Sequence, residues 1–135
     1  MKEINLEIIT PSKLGYKGTI KSLTVPGTKG SFQVLFNHAP LLSTFDIGKI
    51  KIEEETGNEL EYVTGGGTVE VLENKILILA DSLETKEEID LERAKNAYMR
   101  AKERLANRKG EIDILRAEAS LQRALNRIKF VGGSI

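Results

Sequence analysis

Cysteine is absent from this 135-residue chain, as is tryptophan; a single histidine and seven other aromatic rings, three Tyr and four Phe, complete the scarce residue types. Without Cys there is no disulfide, no thiolate zinc site and no thiol nucleophile. With His38 as the lone imidazole, a histidine metal triad or a histidine-activated nucleophile lacks its parts. The plainer use of His38, between Asn37 and Pro40, is a turn histidine bonded to a carbonyl; a place in a subunit contact is its functional rival. No apolar run approaches the roughly 20 residues that span a bilayer, and the opening Met1-Lys2-Glu3-Ile4 lacks a signal-peptide core. These absences predict a cytosolic, soluble protein without catalytic residues, metal site, obligatory cofactor or membrane insertion, a description that a soluble subunit of a membrane complex also fits.

A surplus of charge is missing too: 20 Lys and Arg balance 20 Asp and Glu. Zero net charge and few aromatics leave neither a strong field nor a stacking platform for nucleic acid. The signs are nevertheless unevenly spread. Lys86 to Lys129 holds most of the basic residues and should seek acidic partners.

What is present first is strand pattern. Ile4, Leu6 and Ile8 alternate with polar residues until Thr10-Pro11-Ser12. Tyr16 to Val25 reads as a second extended segment, ending at the loop Pro26-Gly27-Thr28-Lys29-Gly30. Phe32 to Phe36, Leu41 to Phe45 and Ile47 to Glu55 follow. Thr56-Gly57-Asn58 folds the last of these back onto Leu60 to Thr64, and Thr68 to Leu72 pairs with Lys75 to Leu79 across Glu73-Asn74. Gly65-Gly66-Gly67 precedes a strand and no Gly-Lys-Ser/Thr follows, so glycines at a strand bend are preferred to a phosphate loop. Many short strands without an intervening helix predict an antiparallel β-sandwich ending near Ala80. Asp81 to Glu88, polar but for Leu83, reads as a linker, which divides the chain into residues 1–85 and 86–135.

The second part is a helical hairpin. Ile89-Asp90-Leu91-Glu92-Arg93-Ala94 is echoed by Ile112-Asp113-Ile114-Leu115-Arg116-Ala117, and each Asp is placed to cap a first turn. Gly110 supplies the break between two antiparallel helices. Ala94, Ala97 and Ala101 form the apolar stripe of the first helix, and Ala117, Leu121, Ala124, Leu125 and Ile128 that of the second. So narrow a stripe predicts a hairpin of marginal stability alone. Arg93, Arg100, Arg116, Arg123 and Arg127 fall at spacings of seven and four, which can set them along one side. Two readings stay open on spacing: a solvated face paired with Glu92, Glu103 and Glu118, or an anion site in which guanidinium forks hold phosphate oxygens and Asp90 accepts from a ribose or amine.

The chain resembles the epsilon subunits of bacterial F-type ATP synthases from Ile4 to about Ile128. The resemblance is carried by Ile9-Thr10-Pro11, Asn37-His38-Ala39-Pro40-Leu41, Gly66-Gly67-Thr68-Val69-Glu70-Val71, Ile78-Leu79-Ala80, Ile89-Asp90-x-x-Arg93-Ala94 and Arg123-Ala124-Leu125-Asn126-Arg127. It implies a sandwich of about ten strands followed by the hairpin, in a non-catalytic rotor subunit on the cytoplasmic face of the bacterial membrane. The sandwich of such a subunit binds the gamma subunit and the c ring. The hairpin, when extended, reaches the alpha/beta catalytic head and inhibits ATP hydrolysis, and in some members ATP holds it folded as a regulatory ligand.

Carried onto this sequence, the nucleotide site comprises Glu84, Ile89, Asp90, Arg93, Ala94, Arg100, Arg123 and Arg127, with Arg116 as a neighbour. Gly27, Thr28, Lys29, Gly30 and Ser31 correspond to the loop facing the c ring, and His38 to a segment near gamma. The basic residues suited to the catalytic head are Arg100, Lys102, Arg104, Arg108 and Arg123. A purely structural coupling subunit, without nucleotide binding or inhibition, is the alternative. Two departures stand out. Gln33-Val34-Leu35-Phe36-Asn37-His38 replaces the common Gly-Ile-Leu-Pro-Gly-His, and Glu92 occupies an often apolar position, where it would repel nearby phosphates by about 1 kcal/mol.

Overall fold

The structure, a computed structural model, describes residues 3–107 and 110–132, with the backbone alone for Glu111 and Ile112. The chain divides into two compact units, Met1–Glu84 and Thr85–Ile135.

In the first unit, nine strands are present among the described residues: β1 (Ile4–Ile9), β2 (Leu14–Val25), β3 (Phe32–Val34), β4 (Leu41–Phe45), β5 (Gly48–Glu54), β6 (Glu59–Thr64), β7 (Gly67–Leu72), β8 (Lys75–Ala80) and β9 (Leu83–Glu84). Their order is β4-β7-β8-β1-β2-β5-β6-β9, with β3 beside β2. The 12-residue β2 makes this a sandwich. Its first half pairs with β1 and its second with β5 and β3, and the register shifts between Ile20 and Ser22. A bulge there bends the strand from one layer to the other and leaves Ser22 and Leu23 buried in succession.

Inward-facing Ile4, Leu6, Ile8, Ile20, Leu23, Ile50, Ile52, Val69, Ile76 and Ile78 close the core between the layers. These are mostly β-branched residues, which pack well on a pleated surface. At the core's edge Tyr16 lies edge-on to Tyr62, centroids 6.5 Å apart, and its hydroxyl donates to Glu54 Oε2 at 2.6 Å. Burial, and then the hydrogen bond to Glu54, push the Tyr16 phenol well above its ordinary range.

Three expectations are corrected. β1 runs parallel to β8, from Asn5 beside Lys75 to Ile9 beside Leu79, so the sandwich is antiparallel except for this ladder. The polar segment Asp81 to Glu88 is not all linker: Leu83 and Glu84 pair with Thr64 and Val63, and Leu83 is buried. One apolar side chain that finds the core is enough to extend the sheet beyond Ala80. Residues Leu35 and Phe36, read as strand, lie past the end of β3.

In the second unit α1 (Leu91–Asn107) and α2 (Glu111–Phe130) pack as a hairpin. Ala94, Ala101, Ala117, Ala124 and Ile128 are buried, while Ala97, Leu121 and Leu125 are half-buried. The caps are unequal, contrary to the sequence reading. Asp90 Oδ1 accepts the Arg93 N–H at 3.1 Å, as an N-cap should. α2 instead begins at Glu111 behind Gly110, without a side-chain cap, and Asp113 lies within the first turn. Its charge favours the positive helix end, but it has no capping bond.

Two stability outcomes follow from the sandwich. A Cβ at Gly67 would collide with the Leu79 carbonyl oxygen and stand 2.9 Å from Ala80 Cα, with only backbone to displace. Gly67→Ala should therefore destabilise by about 1–3 kcal/mol, read as a lower denaturation midpoint; an unchanged midpoint refutes the close approach. Tyr16→Phe should cost about 0.5–1.5 kcal/mol at neutral pH through loss of its hydrogen bond. Because the folded phenol titrates higher than the unfolded one, this contribution is complete below about pH 10 and is lost as pH rises further. The difference between the two proteins in urea midpoint should narrow there.

Candidate functional site

The hairpin's open end carries the sequence motif. Asp90 holds the start of α1, and the exposed Arg93 follows within the first turn. In an antiparallel pair the end of α2 returns to the same end, bringing the half-buried Arg123 and Arg127 along it. Arg123 Nη2 donates to Ser120 Oγ at 3.2 Å, and Arg127 is also engaged in an interaction. Ile89 is half-buried, Ala94 is buried, and Arg100 is exposed midway along α1.

Arg116 belongs elsewhere. It lines a cavity of about 360 Å³ with Arg104, Asn107 and Asp113 at the loop end of the hairpin. Three turns of helix, about 16 Å, separate it from Arg127. Glu84 lies on β9 in the other unit, opposite Val63. Arg108 lies outside the described residues.

The solvated-face reading requires ion pairs to Glu92, Glu103 and Glu118. Among the described residues, none joins them to Arg93, Arg100, Arg116 or Arg123. Glu92 is exposed in the first turn of α1, where the helix dipole favours a carboxylate. Among the described residues there is also no group of three His, Asp or Glu side chains placed to hold a metal.

On the sandwich, the structure separates the two parts of the expected rotor surface. Gly27 bridges to Phe45 and accepts the Gly30 N–H, so Thr28, Lys29, Gly30 and Ser31 form an exposed tip before β3. His38 follows β3 at its other end, beside the β7–β8 turn. Its Nδ1 lies 2.7 Å from Ala39 O, the carbonyl contact of the plainer reading.

A set of exposed leucines escaped the sequence reading. On the outer face, cross-strand registers align Leu42, Glu70, Leu77, Glu7 and Lys17 in one row, and Thr44, Thr68, Leu79, Ile9 and Leu14 in the next. Leu42 is 75% exposed, Leu14 56%, and Leu72 and Leu79 49% each, an apolar surface threaded with single charges. Its signal was in β8, where Ile76-Leu77-Ile78-Leu79 is apolar at both parities although only the isoleucines are needed inside.

A sandwich with an exposed apolar outer face, followed by a capped two-helix hairpin, makes the chain a two-part β-then-α protein. Residues 3–86 match the beta-sandwich domain of the ATP synthase Delta/Epsilon chain, and residues 87–132 its long alpha-helix domain. The chain is 38% identical over 128 residues to the ATP synthase epsilon chain of Desulforamulus reducens, covering 95% of this chain and 96% of the relative. It is 41% identical over 133 residues to that of Nitratidesulfovibrio vulgaris strain DP4, covering 98% of each. The chain belongs to the ATP synthase delta/epsilon chain family, as a subunit of that complex without an active site of its own.

Two solved structures share the fold. One is a chain of the Euglena gracilis mitochondrial ATP synthase OSCP/F1/c-ring assembly, with a TM-score of 0.81, 21% identity, and coverage of 93% of this chain and 79% of that one. The other is from the Tetrahymena thermophila mitochondrial ATP synthase central stalk and c-ring, with a TM-score of 0.73, 16% identity and 97% coverage of each.

The cap at Asp90 can be tested separately from any ligand. Asp90→Ala should cost the hairpin about 1 kcal/mol and speed amide exchange at Arg93 and Ala94. Asp113→Ala, which removes no capping bond, should leave helix content nearly unchanged by circular dichroism; equal losses in both variants would refute the asymmetry.

Proposed function

We propose that this chain is a central-stalk subunit on the cytoplasmic face of the bacterial membrane, joining gamma to the c ring and restraining ATP hydrolysis through its hairpin. The leucine face with the His38 end is the surface offered to gamma, and the Gly27–Ser31 tip is offered to the c ring. Extended, the hairpin presents Arg100, Lys102, Arg104 and Arg123 to acidic segments of the alpha/beta head. Folded, it binds ATP as a regulatory ligand.

The observation that carries the nucleotide part is the convergence at the open end of the hairpin: Asp90 and Arg93 begin α1 where the last turns of α2 bring Arg123 and Arg127. Arg forks match phosphate oxygens, and a carboxylate accepts ribose or amine donors. Ile89, Ala94 and Arg100 complete this site within the hairpin; Arg116, at the loop end, falls outside the group that can reach one ligand. ATP that binds only the folded hairpin shifts the population by RT ln(1 + [ATP]/Kd), about 1.4 kcal/mol at ten times Kd.

Calorimetry on the full chain should show ATP binding that Arg93→Ala or Arg127→Ala weakens at least tenfold. In the assembled synthase, truncation after Thr85 should raise ATP hydrolysis. No heat with ATP removes the sensor; unchanged hydrolysis after truncation leaves a purely structural coupling subunit.

A further inference from the structure

Asn74 joins three parts of the sandwich that are distant in sequence. Its carbonyl accepts the Asn5 N–H at 3.0 Å, at the start of β1. Its side-chain Oδ1 accepts the Asn37 backbone N–H at 2.7 Å, and its Nδ2 donates to Asn37 Oδ1 at 3.1 Å. The Asn74 side-chain amide therefore clasps Asn37 at both its backbone N–H and its side-chain oxygen, joining the β3–β4 loop to the β7–β8 turn.

Both residues have left-handed backbone, with φ of 61° at Asn37 and 60° at Asn74. Among residues with side chains, Asn adopts this region readily, and its amide brings both a donor and an acceptor. Glycine satisfies the dihedral angle and nothing more. Asparagine at position 37 thus keeps the left-handed turn and adds a cross-loop anchor.

What the clasp holds is the segment proposed to meet gamma. Asn37 is followed directly by His38, whose N–H donates to Leu35 O and whose ring contacts Ala39 O. Leu42, the most exposed leucine of the outer face, follows within five residues, and Leu72 lies diagonal to it across the β4–β7 ladder. Both loops held by the clasp thus border the same apolar surface.

We propose that the Asn37–Asn74 clasp is a positioning device that pre-sets the His38–Pro40 loop and the adjoining leucine edge for docking to gamma. It makes the loop a rigid partner for association, so that less ordering remains to be done on binding. This inference rests on the docking surface proposed above.

The test is the affinity of the full-length chain for its own purified gamma subunit at a temperature well below unfolding, with amide exchange at His38 read in parallel. Asn74→Gly keeps the left-handed backbone accessible and removes both contacts, whereas Asn37→Gly removes only the one to its side-chain oxygen, since its backbone N–H still reaches Asn74 Oδ1. Asn74→Gly should weaken binding about tenfold and speed exchange at His38. The double variant should lose no more than Asn74→Gly alone, because that change already breaks the whole clasp. Asn37→Gly and Asn74→Asp, which each keep the bond to the Asn37 N–H and lose the other, should fall between Asn74→Gly and the unaltered chain. Variants with a lowered melting temperature but unchanged affinity would reduce the clasp to a stability feature and overturn the proposal. Failure of the unaltered chain itself to bind gamma would instead remove the docking reading on which it rests.

Discussion

The sandwich depends on β1 being accepted along both edges. On one side it pairs with the first half of β2, and on the other it runs parallel to β8. In the strand order, this places six residues between β4-β7-β8 and everything from β2 onward. Ile4, Leu6 and Ile8 are each at most 1% exposed, so the same segment supplies ladder bonds to both flanks and three side chains to the core. Its outward residues, Asn5, Glu7 and Ile9, belong to the cross-strand rows that include the exposed leucines. The outer apolar face is therefore continuous because the central strand is.

Much of this was legible in sequence because alternation states which face is buried without reference to a partner. The turns at Gly57 and at Glu73-Asn74 were equally readable, since φ is positive there and Gly57 and Asn74 are residue types that tolerate it. Pairing was another matter. The ladder between β1 and β8 joins segments some 70 residues apart, and no local signal distinguishes it from an antiparallel one. The two-residue β9 was hidden by polar neighbours, because its membership is decided by where Leu83 lands rather than by its own pattern.

The candidate site divides in the same way. Spacing put the arginines on helices, and antiparallel packing then sorts them by height: Arg93, Arg123 and Arg127 toward the open end, Arg104 and Arg116 at the loop. Seven-residue spacing gives a common face but says nothing of which residue lies opposite which. The doubled Ile-Asp-x-x-Arg-Ala misled for a related reason. Identical local sequences can begin helices at different positions, and the glycine before α2 let that helix start two residues ahead of its Asp. The outer leucines were missed because a half-buried strand is expected to be polar outside, and their excess is visible only once burial identifies the isoleucines as the inner set.

The two units differ in how much apolar surface holds them, and this bears on the proposed division of labour. Buried isoleucine, leucine and valine fill the sandwich, whereas four of the five fully buried apolar residues described in the hairpin are alanines. At about 25 cal/mol per Å² of apolar surface removed from water, an alanine stripe yields far less per residue than an isoleucine stripe. Small side chains bring helix axes close but leave little energy in the contact. A rotor-bound sandwich must keep its shape, while a hairpin that changes state must have two states separated by a few kcal/mol. For the second, weak packing is the requirement: it places the equilibrium within reach of a ligand bound at only modest affinity, and the Asp90 cap fixes the helix start at which that ligand would be read.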